Sequence, residues 1–329
     1  MLRILHGTNY DFIRWWRWAA GLTIAFIVLG IGSLLFKPVN YSIEFTGGTL
    51  MQLEFAQPVD VAALRGSLDA AGIRGAEIQQ FGSNREFTVR AQESEKSNAA
   101  TRGAESVARQ IENLVTQKYG AANVRVIRTE AVGPKVGSEL RRDAVIAMLL
   151  SFLVTTVYLA IRFEWRFGIA ALVATGHDVF TTIAFLKLMH LEVSLTVVAA
   201  ILTVIGYSLN DTIIIFDRVR ENLRKSRKES LYDTLNRSIN ETLPRSILTH
   251  VTTFGATMAL LIFAGEVIRP FAWVMAFGIF TGTFSSIYVA SPVLLWIERK
   301  WPRRTTAFQT SSTATRTSPT RRSPATATR

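Results

Sequence analysis

At 329 residues with 49% hydrophobic side chains, the chain is too apolar for an ordinary pair of soluble domains. It is long enough for several membrane spans plus one folded domain of about 100 residues. Its formal net charge of +12 sits mostly in loops beside apolar segments and near the C-terminus, which argues for span-orienting lysines and arginines and against a nucleic-acid-reading face. With no cysteine, a disulfide framework, a thiol nucleophile and a thiolate metal site are all excluded.

Residues 1–17 form a basic leader with Arg3, Arg14 and Arg17. The first span follows at Trp18–Phe36 (residues 18–36); no small-residue cleavage pattern comes after it, so it reads as a retained helix. Residues 37–142 carry both signs of charge and predict a soluble domain. The alternation of Thr49-Leu-Met-Gln-Leu-Glu-Phe55 predicts a strand. Val59–Ala71 has helical spacing and stops at Gly72, and strands at Glu77–Phe81 and Glu86–Arg90 flank the Gly82-Ser-Asn break. A second helix over Ala99–Tyr119 closes at Gly120, and Val124–Val132 is the last strand. The order is βαββαβ, an α+β ferredoxin-like unit inserted in an α-helical multi-pass membrane protein.

Residues 143–298 supply five more spans: Ala144–Ile161, Phe167–Leu188, Val193–Phe216, Ser246–Ala264 and Phe271–Ile297. A basic loop occupies 217–245, and its Asp217–Lys225 run has the spacing of helical salt bridges. The loops rich in Lys and Arg fall on one side of the membrane, which predicts that both termini are cytoplasmic and the 37–142 domain is extracytoplasmic. Trp15, Trp16, Trp18, Trp165, Trp296 and Trp301 stand at span ends, where indoles favour the interface. Residues 299–329 are a basic stretch and then a Thr/Ser/Ala/Arg/Pro run that cannot bury a core, predicting a disordered cytoplasmic tail.

Ionisable residues inside spans are costly and mark candidate sites. They are His177 and Asp178 in the third span, Asp211 in the fourth, and Arg245 and His250 at the fifth. Asp211 and Arg245 are expected at comparable depth, with Ser208 and Asn210 near the first. Arg245, Thr249, Thr252 and Thr253 form one stripe on the next helix. Two readings stand at this point. A carboxyl balanced between desolvation and a nearby cation is suited to loading and releasing a proton, whereas an Asp and an Arg at one depth also make a static pair locking two helices. Asp178, with Thr181 and Thr182 a turn away, reads either as a supporting relay group or as a hydrogen-bonding lock, and His250 reads either as functional or as purely structural. No phosphate loop, no His-Glu-x-x-His pair and no nucleophile elbow occurs.

Four motifs go further: Phe45-Thr-Gly-Gly48, Val132-Gly-Pro-Lys-Val-Gly-Ser-Glu-Leu140, Gly176-His-Asp178, and the block Thr203-Val-Ile-Gly-Tyr-Ser-Leu-Asn-Asp-Thr-Ile-Ile-Ile-Phe-Asp-Arg-Val-Arg-Glu-Asn222. Over roughly Ile24 to Trp301 they resemble the SecD/SecF family of bacterial protein-export membrane proteins, related in architecture to resistance-nodulation-division transporters; the fourth-span block is the most specific. The resemblance implies a subunit that pairs with SecD, associates with the SecYEG translocon and with YajC, and uses the proton-motive force to promote late steps of export across the bacterial inner membrane. It implies no enzyme activity, cofactor, metal or nucleic acid; the contacts it implies are membrane lipid and, together with SecD, unfolded polypeptide. The family's proton-coupling Asp and Arg match Asp211 and Arg245, with Asp178, Asn210 and Thr249 as possible supporting residues. Two alternatives are a passive assembly factor and an efflux half-transporter, the latter disfavoured by so small a domain.

Overall fold

The computed structural model describes residues 8–73, 75–80, 83–91, 104–226, 229–265 and 267–302. Among them are six helices long and apolar enough to cross a membrane. A single turn at Ile13–Trp15 leads into α1 (Trp16–Gly32), which tightens at Ser33–Leu35. Next come the one-turn α2 (Ile43–Thr46), β1 (Gly48–Phe55), α3 (Val61–Ala70), β2 (Glu77–Gln80), β3 (Glu86–Ala91), α4 (Ala104–Tyr119) and β4 (Val124–Val132). The remaining spans are α5 (Pro134–Arg162), α6 (Trp165–Leu188), α7 (Leu195–Lys225) and α8 (Leu231–Phe263). The last is α9 (Arg269–Ser285), continuing through a π turn at Ser286–Ala290 into α10 (Ser291–Lys300). The expected tail from 305 and the expected helix start at 99–103 lie outside the described residues, as do Phe81 and Gly82 of the strand–turn reading.

The domain follows the expected βαββαβ order, and its antiparallel sheet runs β2-β3-β1-β4. Alternation on β1 sends Met51, Leu53 and Phe55 to one face, where they join Phe87 and Val89 of β3 under Leu64 and Leu68 of α3 and Ile111 and Val115 of α4. Each such fully buried side chain contributes about 1.5–3 kcal/mol. A bulge between Gln52 and Leu53 leaves Ile127 of β4 unpaired.

The chain enters and leaves this domain at one joint. Gly47 sits at φ +74°, and a Cβ there would lie 2.7 Å from Cα of Pro134, the first residue of α5. Only glycine supplies both that conformation and that clearance. The Phe45–Gly48 and Val132–Gly137 motifs, about 85 residues apart, are the two halves of this contact.

Within the bundle α6, α7 and α9 are central and α1, α5 and α8 peripheral. Leu22, Ile24, Val28, Leu149, Leu153, Leu248 and Ile262 are exposed on those outer helices, as a lipid-facing surface requires. The spans are longer than hydropathy suggests. Helix α7 continues nine residues past the expected end at Phe216, and α8 begins fifteen residues before the expected start at Ser246. Charge pairs stabilise these extensions: Arg218 with Glu241 at 2.5 Å and with Glu221 at 2.6 Å, and Lys225 with Glu221 at 2.5 Å. Much of the basic 217–245 loop is therefore a helical hairpin.

Candidate functional site

Among the described residues, two buried carboxylates lie in the bundle, each held by residues of other helices. Asp178 of α6 is 0% exposed. Its Oδ2 accepts from Ser285 Oγ of α9 at 2.7 Å and from Ser208 Oγ of α7, and its Oδ1 lies 3.0 Å from His177 Nδ1. Thr181 and Thr182 do not bridge helices, because their hydroxyls return to the carbonyls of His177 and Asp178 on their own helix. Ser208, expected beside Asp211, serves Asp178 instead. The α7–α9 approach that permits this depends on Gly282, where a Cβ would lie 2.9 Å from Ser208 Cβ. One turn further along, Thr212 and Ser286 hydroxyls meet at 2.7 Å, where the backbone widens into the π turn. Such bulges concentrate at functional sites.

Asp211 of α7 is 3% exposed and faces α8. It accepts from Ser246 Oγ at 3.2 Å, and its Oδ2 lies 3.2 Å from His250 Nε2. Thr283 Oγ1 of α9 sits 3.2 Å from the same ring nitrogen, and Tyr207 packs edge-on to the ring at 5.5 Å. This departs from the expected Asp211–Arg245 pair. Arg245 is exposed, and among the described residues no ion pair joins the two. The reason is helical geometry: Ser246 and His250 are four residues apart and share a face, whereas Arg245 is turned about 100° from Ser246. His250, whose role the sequence leaves open, is thus the group that meets Asp211; its i+4 spacing from Ser246 was the available signal.

Of the other candidates, Asn210 is exposed and Thr249 half-buried, its hydroxyl bonded to the Arg245 carbonyl. Asn210 on α7 and Arg245 on α8 put polar groups on the outer surface of the bundle, while the exposed Thr203 and Thr252 hydroxyls bond carbonyls of their own helices. That is a poor surface for acyl chains, where an unpaired polar group costs several kcal/mol.

The helix that carries Asp211 is also tied to the domain. Val193, just before α7, exchanges backbone hydrogen bonds with the strand leading into α2: Ser42 N donates to Val193 O at 2.9 Å and Val193 N to Asn40 O at 2.7 Å. The Glu44 carboxylate caps α7 by accepting from Leu195 N at 2.6 Å, an anion at a positive helix end. Glu192 of the same loop pairs with Arg90 of β3. These contacts form a strap from sheet to span.

Comparison with known proteins places these features in context. A family model described as "Protein export membrane protein SecD/SecF, C-terminal" matches residues 110–300, and one described as "SecD/SecF GG Motif" matches residues 32–59. The protein translocase subunit SecF of Gemmatimonas aurantiaca is 65% identical over 305 residues, covering 92% of this chain and 91% of that protein. That of Vibrio alginolyticus is 41% identical over 296 residues, covering 90% and 92%. The crystal structure of SecDF, a translocon-associated membrane protein from Thermus thermophilus, superposes with a TM-score of 0.78 at 36% identity over 91% of this chain. The chain spans 40% of that SecDF polypeptide.

Proposed function

The chain belongs to the SecD/SecF family of protein export membrane proteins, on its SecF side, and from that premise we propose that it is a proton-motive-force-driven accessory subunit of the Sec translocase. It acts with SecD on late steps of export across the bacterial inner membrane, with both termini cytoplasmic. It drives a conformational cycle rather than catalysing a reaction, and draws on the proton gradient with no cofactor. SecD is its heterodimeric partner; the pair contacts SecYEG, YajC and unfolded polypeptide.

The observation that carries this reading is Asp211, a carboxylate sealed inside the bundle between Ser246 and His250, on a helix whose other end is strapped to the domain. A change of charge at Asp211 alters its bonds across α7 and α8, and the strap passes that movement to the domain. Asn210 and Arg245, exposed on the outer surface of the bundle, support a membrane-embedded partner such as SecD. In that assembly Arg245 faces the partner's own ionisable groups and acts on Asp211 from the interface.

The test is export of a reporter preprotein into membrane vesicles carrying Asp211→Asn, His250→Phe or Arg245→Ala, with and without a proton gradient and with SecD association checked in each. Loss of the gradient-dependent part in well-assembled Asp211→Asn is expected. Its persistence there would make the Asp211 cluster a structural lock.

A further inference from the structure

On the domain side of the bundle, a cleft of about 860 Å³ opens between the end of α1 and the start of α5, floored by α6 and α7. Its interior is apolar: Leu34, Ile146, Met148, Ile183, Leu186 and Ile201 line it. Its rim is cationic, with Lys37 after α1, Arg141 and Arg142 on α5, and Lys187 on α6.

These cations are not consumed by neighbouring acids. Lys187 Nζ donates to the backbone carbonyls of Lys37 and Pro38, at 2.6 and 2.8 Å, which fixes it at the mouth without neutralising it. Arg142 has one exposed partner, Asp143, at 3.2 Å. Among the described residues no carboxylate lies within ion-pair distance of Lys37 or Arg141, and the one acid in the lining, Glu77, is engaged by Arg90. The rim also stands where the apolar runs stop. Lys37 directly follows Phe36, Arg142 lies two residues before the apolar stretch that begins at Ala144, and Lys187 lies in the last turn of α6.

We propose that this cleft binds one anionic glycerophospholipid from the leaflet on the domain side. The phosphate sits between Lys37 and Arg141, and an acyl chain lies along Ile183 and Ile201. Charge selects the headgroup: a rim with surplus cations favours a net-negative lipid over a zwitterionic one. Depth selects the tail, because an acyl chain occupies an apolar groove in the bilayer without bringing backbone groups that need partners, whereas an inserted extended peptide would bring them. Tyr41 and Val193, both in the strap, line the same cleft, so the bound lipid braces the contact between α7 and the domain. This stands on the cleft alone and does not depend on proton coupling.

The experiment is native mass spectrometry of the full chain released from nanodiscs of equimolar phosphatidylglycerol and phosphatidylethanolamine. Wild type is expected to retain one phosphatidylglycerol. Lys37→Ala/Arg141→Ala, two exposed positions that leave the fold intact, should lower that retention about tenfold or more. Ile146→Trp, which fills the groove and leaves the rim charge unchanged, should also lose the lipid; thermal unfolding in detergent confirms that both variants fold. Equal retention of the two lipids, or wild-type retention by both variants, identifies ordinary annular lipid and overturns the proposal. Displacement of phosphatidylglycerol by millimolar inorganic phosphate also overturns it, because the site is then an anion site that makes no use of the tail.

Discussion

The sharpest test of the bundle's interior is Ser285→Ala. Ser285 is fully buried, and its hydroxyl donates 2.7 Å to the Asp178 carboxylate while lying 3.1 Å from the Gly282 carbonyl of its own helix. Alanine removes one oxygen and leaves almost no void, so the cost reports the bond. Neutral hydrogen bonds between membrane helices average about 0.6 kcal/mol. A bond to a buried charge is worth about 1.5–3 kcal/mol, because the alternative is a carboxylate short of a donor. The internal control is Ser291→Ala, equally buried but bonded to the carbonyl of Ser286 at 3.1 Å. With Asp178 ionised, the difference between the two variants should be about 1–2 kcal/mol; a difference near zero marks a protonated carboxyl.

The assay is reversible unfolding in mixed micelles followed by circular dichroism. Ser285→Ala is then repeated in an Asp178→Asn background. If Asp178 is the acceptor, the two substitutions couple by at least about 0.5 kcal/mol, since once the charge is gone the serine has less to stabilise. Equal costs for Ser285→Ala and Ser291→Ala, together with additivity in the double variant, would refute an ionised Asp178 held by serines from α7 and α9.

Three further outcomes follow from other parts of the molecule. Gly47→Ala combines a left-handed backbone with a Cβ 2.7 Å from Pro134, so the joint should lose about 2–4 kcal/mol, seen as faster proteolysis between α1 and the domain; protection equal to wild type contradicts the joint. Glu44→Ala/Glu192→Ala removes a helix-capping carboxylate and the partner of Arg90, about 2–4 kcal/mol together after discounting the half-exposed Glu192. Spin labels on β3 and α7 should then show a broadened distance distribution, and an unchanged one dismisses the strap. At the other end of the bundle, the Tyr232 hydroxyl, bonded to Asp11 at 2.6 Å and aided by Asn236, holds the Asp11 carboxyl below the usual carboxylate range. A lowered value stabilises the native state above the unfolded value of about 3.9 and loses that contribution as pH falls through the folded one. The N-terminal segment should accordingly become protease-sensitive below about pH 4 in wild type, and Asp11→Asn should flatten that dependence.

How much of this was legible in the sequence depended on whether the signal was local. The domain was readable because β1, β3 and β4 alternate and α3 and α4 end at glycines with positive φ, Gly72 and Gly120. Burial, capping and turn chemistry agree at those places. Span ends were misplaced because hydropathy measures apolarity, whereas α7 and α8 are continued past the apolar zone by ion pairs such as Arg218–Glu241. Asp178 and Asp211 stood out as charges in apolar runs, but their partners did not. Depth and the family resemblance matched Asp211 to Arg245; rotation about α8 brings Ser246 and His250 within bonding distance of it. Ser285 carried no signal at all, since a serine in a span most often bonds its own helix. Only the packing of α9 against α6 shows that this one serves a carboxylate on another helix.

The geometry of α7 connects these observations. Leu195, capped by Glu44, and Asp211 lie sixteen residues apart on one unbroken helix, about 24 Å at 1.5 Å per residue. A rigid element of that length carries a rotation or a small axial shift from one end to the other with little loss, provided that each end is tied to something that matters. At one end the tie is the strap to β3 and the strand before α2. Near the middle it is a carboxylate whose bonds to α8 depend on its charge. On the intervening stretch Ser208 binds Asp178 and packs on Gly282, so α7 cannot turn about its axis without breaking contacts to α6 and α9. Along α9, Gly278 and Gly282 stand one turn apart and pack on Val204 and Ser208 of α7, and one turn further on Ser286 opens the π turn and meets Thr212. On the proposed reading, α7 moves as a unit and the domain follows through its strap.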